Sequence, residues 1–309
     1  MADQARDPVR AVSGPSGRRR PHRRGAVAPG GNPAALLVGP ALLFLGLFLV
    51  LPLAIIVYHS LRASPVLMQP EGYLGLANYV YIAGTNFYVG VILRTLRICA
   101  VVVVFTLLLS YPTALIFRRY ARLASGTSIL ILSFPMLAGP LVVVLGWMIL
   151  LADGGPINDW LIALGITDSP IEIMRSEAAI VISLVQFTIP FAVLNIFNAL
   201  SQIERHLIEA AESLGATALG RFWHVTLPLS LPGVLSAAII TFSLAVSSFI
   251  APAYLGGGTK LVMTTLITET MLGSYDLPMA STIAVVLLAF SLFVVVGMNA
   301  VLTREAVRR

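Results

Sequence analysis

The residues of this 309-residue chain that could do chemistry fall into groups suited to different tasks. One is a polar stretch, Glu209-Ala210-Ala211-Glu212-Ser213-Leu214-Gly215, answered ten residues on by Val225-Thr226-Leu227-Pro228. Its carboxylates and small side chains suit recognition of another surface rather than the making of bonds. A second group is scattered through apolar sequence: Ser133, Pro135, Gly139 and Pro140, then Gln186, Thr188, Pro190 and Asn195, then Ser243, Ser247 and Ser248. Uncharged hydrogen-bonding and helix-bending residues of this kind can line a path for a polar solute. Taken singly, each also suits ordinary helix–helix packing. Gln186, Thr188, Asn195, Ser243 and Ser247 are the path candidates. The groups that could act in catalysis or metal binding do not assemble into a centre. Cys99 is the single cysteine, so no disulfide within the chain and no cysteine-based metal site can form. Gly256-Gly257-Gly258-Thr259-Lys260 faintly suggests a phosphate loop, but threonine precedes its lysine, and a flexible turn explains it better.

The elements that must position these groups are membrane helices. The chain is 58% hydrophobic and 11% charged, whereas soluble domains carry about 25% charge. Uncharged runs at 34–58, 98–117, 123–152, 178–203, 222–259 and 277–303 can each supply a span, which needs roughly 20 apolar residues. In the fifth run, proline and glycine punctuation places one span at about 232–254. Residues 72–93 read mostly as loop, with a span beginning near Val89, and 157–164 as a short interfacial helix. The expectation is an all-α integral membrane protein with six transmembrane helices. It has one membrane domain, 33–303, a loop at 201–230, a basic tail at 1–32 and a short tail at 304–309. The tail at 1–32 reads as disordered and close to anionic lipid. The first run is longer than a signal core and reads as an uncleaved anchor.

The charge of +6 is distributed by side. Fifteen of the twenty basic residues precede the first span, follow the second, lie in the 201–230 loop or end the chain. The positive-inside rule makes that side, and both termini, cytoplasmic. The opposite side holds Arg62, Arg94, Arg97, Arg175 and Lys260 against eight acids: Glu71, Asp153, Asp159, Asp168, Glu172, Glu177, Glu269 and Asp276. The placement argues for lipid rather than nucleic acid as the partner of the positive charge. The spans carry almost no ionisable residue, which leaves proton-coupled transport without a carrier.

In the loop, Ser201-Gln202-Ile203-Glu204 has the form of a capping box. Leu207, Ala210, Ala211 and Leu214 fall at i, i+3, i+4 and i+7, one apolar stripe on a helix. Gly215 allows the left-handed turn that stops it. Thr217 caps a second short helix carrying Phe222 and Trp223, which Pro228 and Pro232 end before the next span. A bland alternative is a connector whose stripe packs on its own spans.

The Glu-Ala-Ala, Gly215 and Leu227-Pro228 spacing closely resembles the cytoplasmic loop of the permease subunits of binding-protein-dependent ABC importers. Gly75-Leu76-Ala77-Asn78-Tyr79, Tyr111-Pro112-Thr113-Ala114, Trp147 with Gly154-Gly155-Pro156-Ile157-Asn158, Pro252 with Leu255-Gly256-Gly257, and Asp276-Leu277-Pro278 extend the likeness over most of 34–303, toward the spermidine/putrescine branch. The resemblance implies a type I importer permease fold in a bacterial inner membrane. Glu209, Ala210, Ala211, Glu212, Leu214, Gly215, Leu227 and Pro228 would dock a cytoplasmic ATPase. It also implies a second homologous permease and an extracytoplasmic binding protein that delivers the solute. ATP and magnesium would be held by the ATPase and no cofactor by this chain, which would not be an enzyme. The solute implied is a polyamine. Arg94-Thr95-Leu96 stands where Asn-Thr-Leu is frequent, and two arginines at the outer entrance would repel a polyamine, so another organic or organophosphorus solute stays open. A secondary transporter and a non-transporting scaffold are the readings from other classes.

Overall fold

The computed structural model describes residues 33–68, 70, 73–119 and 126–307, with side chains at 38–68, 70, 73–119, 134, and 136–300. The tail at 1–32, part of the basic turn after the second span, the side chains of Ser133 and Pro135, and the last two residues of the tail at 304–309 lie outside what it describes. Two compact units divide the chain at Leu51 and Pro52. The described part of the first is the beginning of α1 (Pro33–Leu61), whose apolar side chains from Leu42 to Leu51 are exposed all round. Such a helix is stable only where its surroundings are as apolar as itself.

Among the described residues, the named elements of the second unit are all helices. They comprise the rest of α1, α2 (Ala77–Gly84), α3 (Asn86–Arg119), α4 (Gly126–Leu150), α5 (Pro156–Ala163) and α6 (Glu177–Ser201). These are followed by α7 (Arg205–Ser213), α8 (Ala218–Arg221), α9 (Leu227–Ser247), α10 (Ile250–Leu255), α11 (Met263–Thr268) and α12 (Leu277–Val307). Among the described residues five helices are long and apolar enough to cross a membrane: α1, α3, α6, the continuous stretch Ala218–Ser247, and α12. The run expected as the third span is α4, which breaks at Gly139 (φ 76°, ψ 159°). A side chain would oppose that backbone conformation, and Pro140 disfavours a helical residue before it. The part of α4 with described side chains from Met136 to Leu150 is apolar and contains the break.

Helices α3, α6 and α9 pack on one another at the centre, with α4 against α6 and α12 against α9. Val102, Ile180, Ala192, Val193 and Ile196 are fully buried there. Thr106 and Thr188, also fully buried, join α3 to α6 through hydroxyls 2.9 Å apart.

Two expectations need correction. Residues 72–93 are not mostly loop, because α2 occupies 77–84 and α3 starts at Asn86. The helix after Thr217 is not ended by its prolines either: it continues through a π-helical turn, Phe222–Thr226, into α9, with Pro232 inside α9. In that turn the Leu227 N–H reaches back five residues to the Phe222 carbonyl. Pro228 comes next and has no N–H to place, so it fits a point where the ladder is already shifted. The span therefore begins well before 232 and ends at Ser247, where α10 takes over as a separate helix.

Candidate functional site

The hairpin formed by α7 and α8 hangs between α6 and the long helix that continues into α9. Its entry is not the expected capping box. Ser201 is the last residue of α6 and its hydroxyl donates back to the Phe197 carbonyl at 2.8 Å. Glu204 is the N-cap of α7, without a side-chain capping bond. A serine that still has a helical carbonyl four residues behind it satisfies itself there instead of capping forward. The exit of α7 is as expected. Gly215 adopts φ 80°, its N–H bonds to Glu212 O at 2.9 Å, and Ala216 N–H bonds to Ala211 O at 3.0 Å, a Schellman closure. Thr217 then caps α8 by accepting from Gly220 N–H at 3.2 Å.

The apolar stripe does not pack on the chain's own spans. Leu207 and Ala210 are exposed and Leu214 is 88% exposed, while Ala211 is half-buried. On the second helix Leu219 and Trp223 are exposed as well. Glu209 lies on the surface with Arg205 3.4 Å away. Glu212 is also exposed but pairs with the more buried Arg221, bracing one helix of the hairpin against the other. Leu227 is half-buried at the start of α9, followed directly by Pro228. The hairpin is thus a braced body with an uncovered apolar edge.

Residues that the sequence singled out only as topology or resemblance hold the hairpin to α3. Arg118 donates to the Ile203 carbonyl at 3.0 Å, where the chain leaves α6. The Tyr111 hydroxyl lies 2.8 Å from Ser230 Oγ, and its ring meets Phe222 edge-on with centroids 5.7 Å apart. The inner part of α3 therefore grips both ends of the hairpin. Arg118 entered the sequence reading only in the charge census and Tyr111 only in a four-residue likeness. Neither spacing indicates a pair some 80 to 120 positions distant.

The path candidates disperse. Gln186 lines an open cleft of about 610 Å³ between α3 and α6, closed on one side by Trp147 of α4. Trp147 Nε1 donates to Gln186 Oε1. Thr188 is fully buried and donates to Leu184 O at 2.8 Å, a packing position. Asn195 bonds within its own helix, to Phe191 O at 2.8 Å. Ser243 and Ser247 are exposed on α9, each bonded to the carbonyl four residues back at 2.8 Å. The cleft brings none of these other four to Gln186. At its far end from the hairpin, Arg97 donates to both oxygens of Glu177, at 2.7 and 2.5 Å. Arg94 lies 3.4 Å from the same carboxylate and donates to Leu261 O at 3.2 Å.

That end is knitted by buried polar groups. Asn78 accepts from Ser64 N–H at 3.1 Å and donates to the carbonyls of Ser60 (3.1 Å) and Arg62 (2.7 Å) and to the Thr282 hydroxyl (3.2 Å). Asp276 caps α12 through Met279 N–H at 2.9 Å and receives the Ser64 hydroxyl. Asn158 exchanges bonds with Ile171, 2.9 Å to its N–H and 3.2 Å to its carbonyl. The short motifs quoted from the sequence thus include three structural staples.

Residues 103–306 match the model of the family described as binding-protein-dependent transport system inner membrane component. The chain belongs to that family. Among its relatives, the permease is 29% identical over 221 residues to the spermidine/putrescine transport system permease protein PotB of Haemophilus influenzae, covering 71% of this chain and 77% of that one. It is 28% identical over 280 residues to the sulfoquinovosyl glycerol transport system permease protein SmoG of Agrobacterium fabrum, covering 84% and 87%. A crystal structure of a bacterial ABC transporter that imports the acidic polysaccharide alginate shares the fold, with a TM-score of 0.74 at 17% identity over 88% of this permease and 95% of that chain. The resemblance read from the loop and the short motifs is thereby established as family membership.

Proposed function

We propose that this chain is the transmembrane permease subunit of an ATP-driven importer, taking a small solute from an extracytoplasmic binding protein across a bacterial inner membrane. The observation that carries the reading is the uncovered apolar edge of the α7–α8 hairpin on an internally braced body. A surface of that kind, exposed to water, fits a docking contact for another protein. The partner is a cytoplasmic ATPase pair, which binds ATP and magnesium; this subunit hydrolyses nothing. Its fold is the six-helix, type I importer permease arrangement, with the kinked α4 as the third span and both termini cytoplasmic. The charge asymmetry between the two sides supports that orientation. A second homologous permease completes the path.

For the solute, the names of the relatives near 29% identity support a polyamine. A second reading, an organic anion, is favoured by the pairing of two arginines with one glutamate at the cleft mouth. The test is reconstitution of the chain with its co-purifying partners in proteoliposomes. ATP hydrolysis should be absent from the chain alone, present in the complex, and raised by solute-loaded binding protein. Uptake by the chain alone, driven by an ion gradient, would instead establish a secondary transporter.

A further inference from the structure

Of the polar side chains lining the α3–α6 cleft, Arg97 and Trp147 only donate, Gln186 can donate or accept, and Glu177 accepts. Trp Nε1 can only donate, so Gln186 must turn its carbonyl oxygen toward Trp147. Its amide nitrogen is left facing away, with no partner among the described residues. At the mouth, the carboxylate of Glu177 has both oxygens taken by Arg97 and a second arginine alongside. Arg97 is two-thirds exposed and lines the cleft. Two more cations stand close by in the chain. Arg175, two residues before Glu177, lays its stem against Gly257, and Lys260 adjoins the Leu261 carbonyl that Arg94 grips. Neither is ion-paired among the described residues. Between mouth and Gln186 the walls are apolar, including Val101, Phe105 and Val181.

We propose that this cleft is a solute subsite for a small organic anion with an apolar body, its anionic group on Arg97 and an acceptor atom on the Gln186 amide. The proposal rests on the importer reading and names the solute class for it. The volume, about 610 Å³, falls within the range of small-molecule sites, and so does an apolar lining with a few placed polar groups. Glu177 to Gln186 spans nine helical residues, or ~14 Å, which sets the reach of such a ligand. A polyamine is the opposite case. Protonated, it offers donors only and needs acceptors, and the one carboxylate here is already engaged by arginine.

The experiment uses the full chain with its co-purifying partners in lipid nanodiscs and follows Trp147 fluorescence. The probes are hexyl phosphate, hexylammonium and spermidine. Hexyl phosphate should change the emission saturably, with the change lost in Trp147→Phe, and Arg97→Ala should weaken it roughly tenfold. Hexylammonium has the same apolar body and opposite charge and should give no saturable change, which separates binding from partition into lipid. Gln186→Glu, which adds a negative charge to the cleft wall, should weaken hexyl phosphate and admit spermidine. Equal response to hexyl phosphate and hexylammonium, an unaltered affinity in Arg97→Ala, or no response at all overturns the proposal. Stimulation of the complex by spermidine on its binding protein would overturn it too, while leaving the importer reading standing. Failure to co-purify any ATPase would remove the importer reading, and the fluorescence titration would still decide whether the cleft takes an anion.

Discussion

The two ends of the membrane-spanning bundle use polar residues in opposite ways. At the end carrying Asn78, Asn158 and Asp276, side chains are buried and bonded to partners in distant segments, such as Asn78 to Thr282. At the hairpin end, Glu209, Leu207 and Leu214 face outward. Bonds inside the hairpin are local closures and one brace, and it is tied to α3 at its two roots, through Arg118 and Tyr111. The first end is completed by its own chain. The second is rigid but unfinished, as a surface made for another protein would be. Changes at the first should therefore register as stability, and changes at the second as assembly.

The sharpest way to break that contrast is Glu209→Lys. The side chain is exposed, with a surface ion pair that contributes at most about 1 kcal/mol, so folding should be unaffected. Co-purification with the ATPase should be lost, as a pull-down would show; normal assembly and uptake would remove the docking role. Next is Asn78→Leu, which leaves several buried donors and acceptors unpaired and should cost about 3 kcal/mol. Thermal unfolding in detergent should occur at a distinctly lower temperature, while ATPase binding by the folded fraction is unchanged. Equal loss of assembly and stability there would merge the two ends into one cooperative structure. The smallest change is Tyr111→Phe, which removes the hydroxyl near Ser230 and should cost about 1 kcal/mol. Because Tyr111 joins the hairpin to α3, solute carried per ATP should fall while hydrolysis continues. Parallel loss of both would make Tyr111 a packing residue only.

Much of this was legible in the sequence because it depends on local physics. Apolar run length marked the five described helices of spanning length, though not the bounds of the fourth, Ala218–Ser247. The stripe at Leu207, Ala210, Ala211 and Leu214 marked α7, and Gly215 and Thr217 marked its end and the start of α8. What was not legible depends on alternatives that only packing decides. Ser201 had two bonding options and took the one behind it. Pro228 and Pro232 look like helix ends, yet the π-helical turn accommodates the first and the surrounding helices support the second. Gln186 was a path candidate among equals, and only the position of Trp147 separates it from the buried Thr188. The grip of Tyr111 and Arg118 on the hairpin joins residues far apart in sequence, where periodicity carries no information.

The wide turn at Phe222–Thr226 has a further effect on how the molecule can vary. An unbroken α-helix would lock the angular position of every residue of the hairpin's second helix to every residue of α9. One additional residue in that turn offsets the two by about 100°. The exposed side carrying Leu219 and the side of α9 packed on α3 and α6 are thus set independently on a single rod. Removing one residue from 222–226 would rotate one relative to the other, leaving both surfaces intact and aimed in the wrong directions.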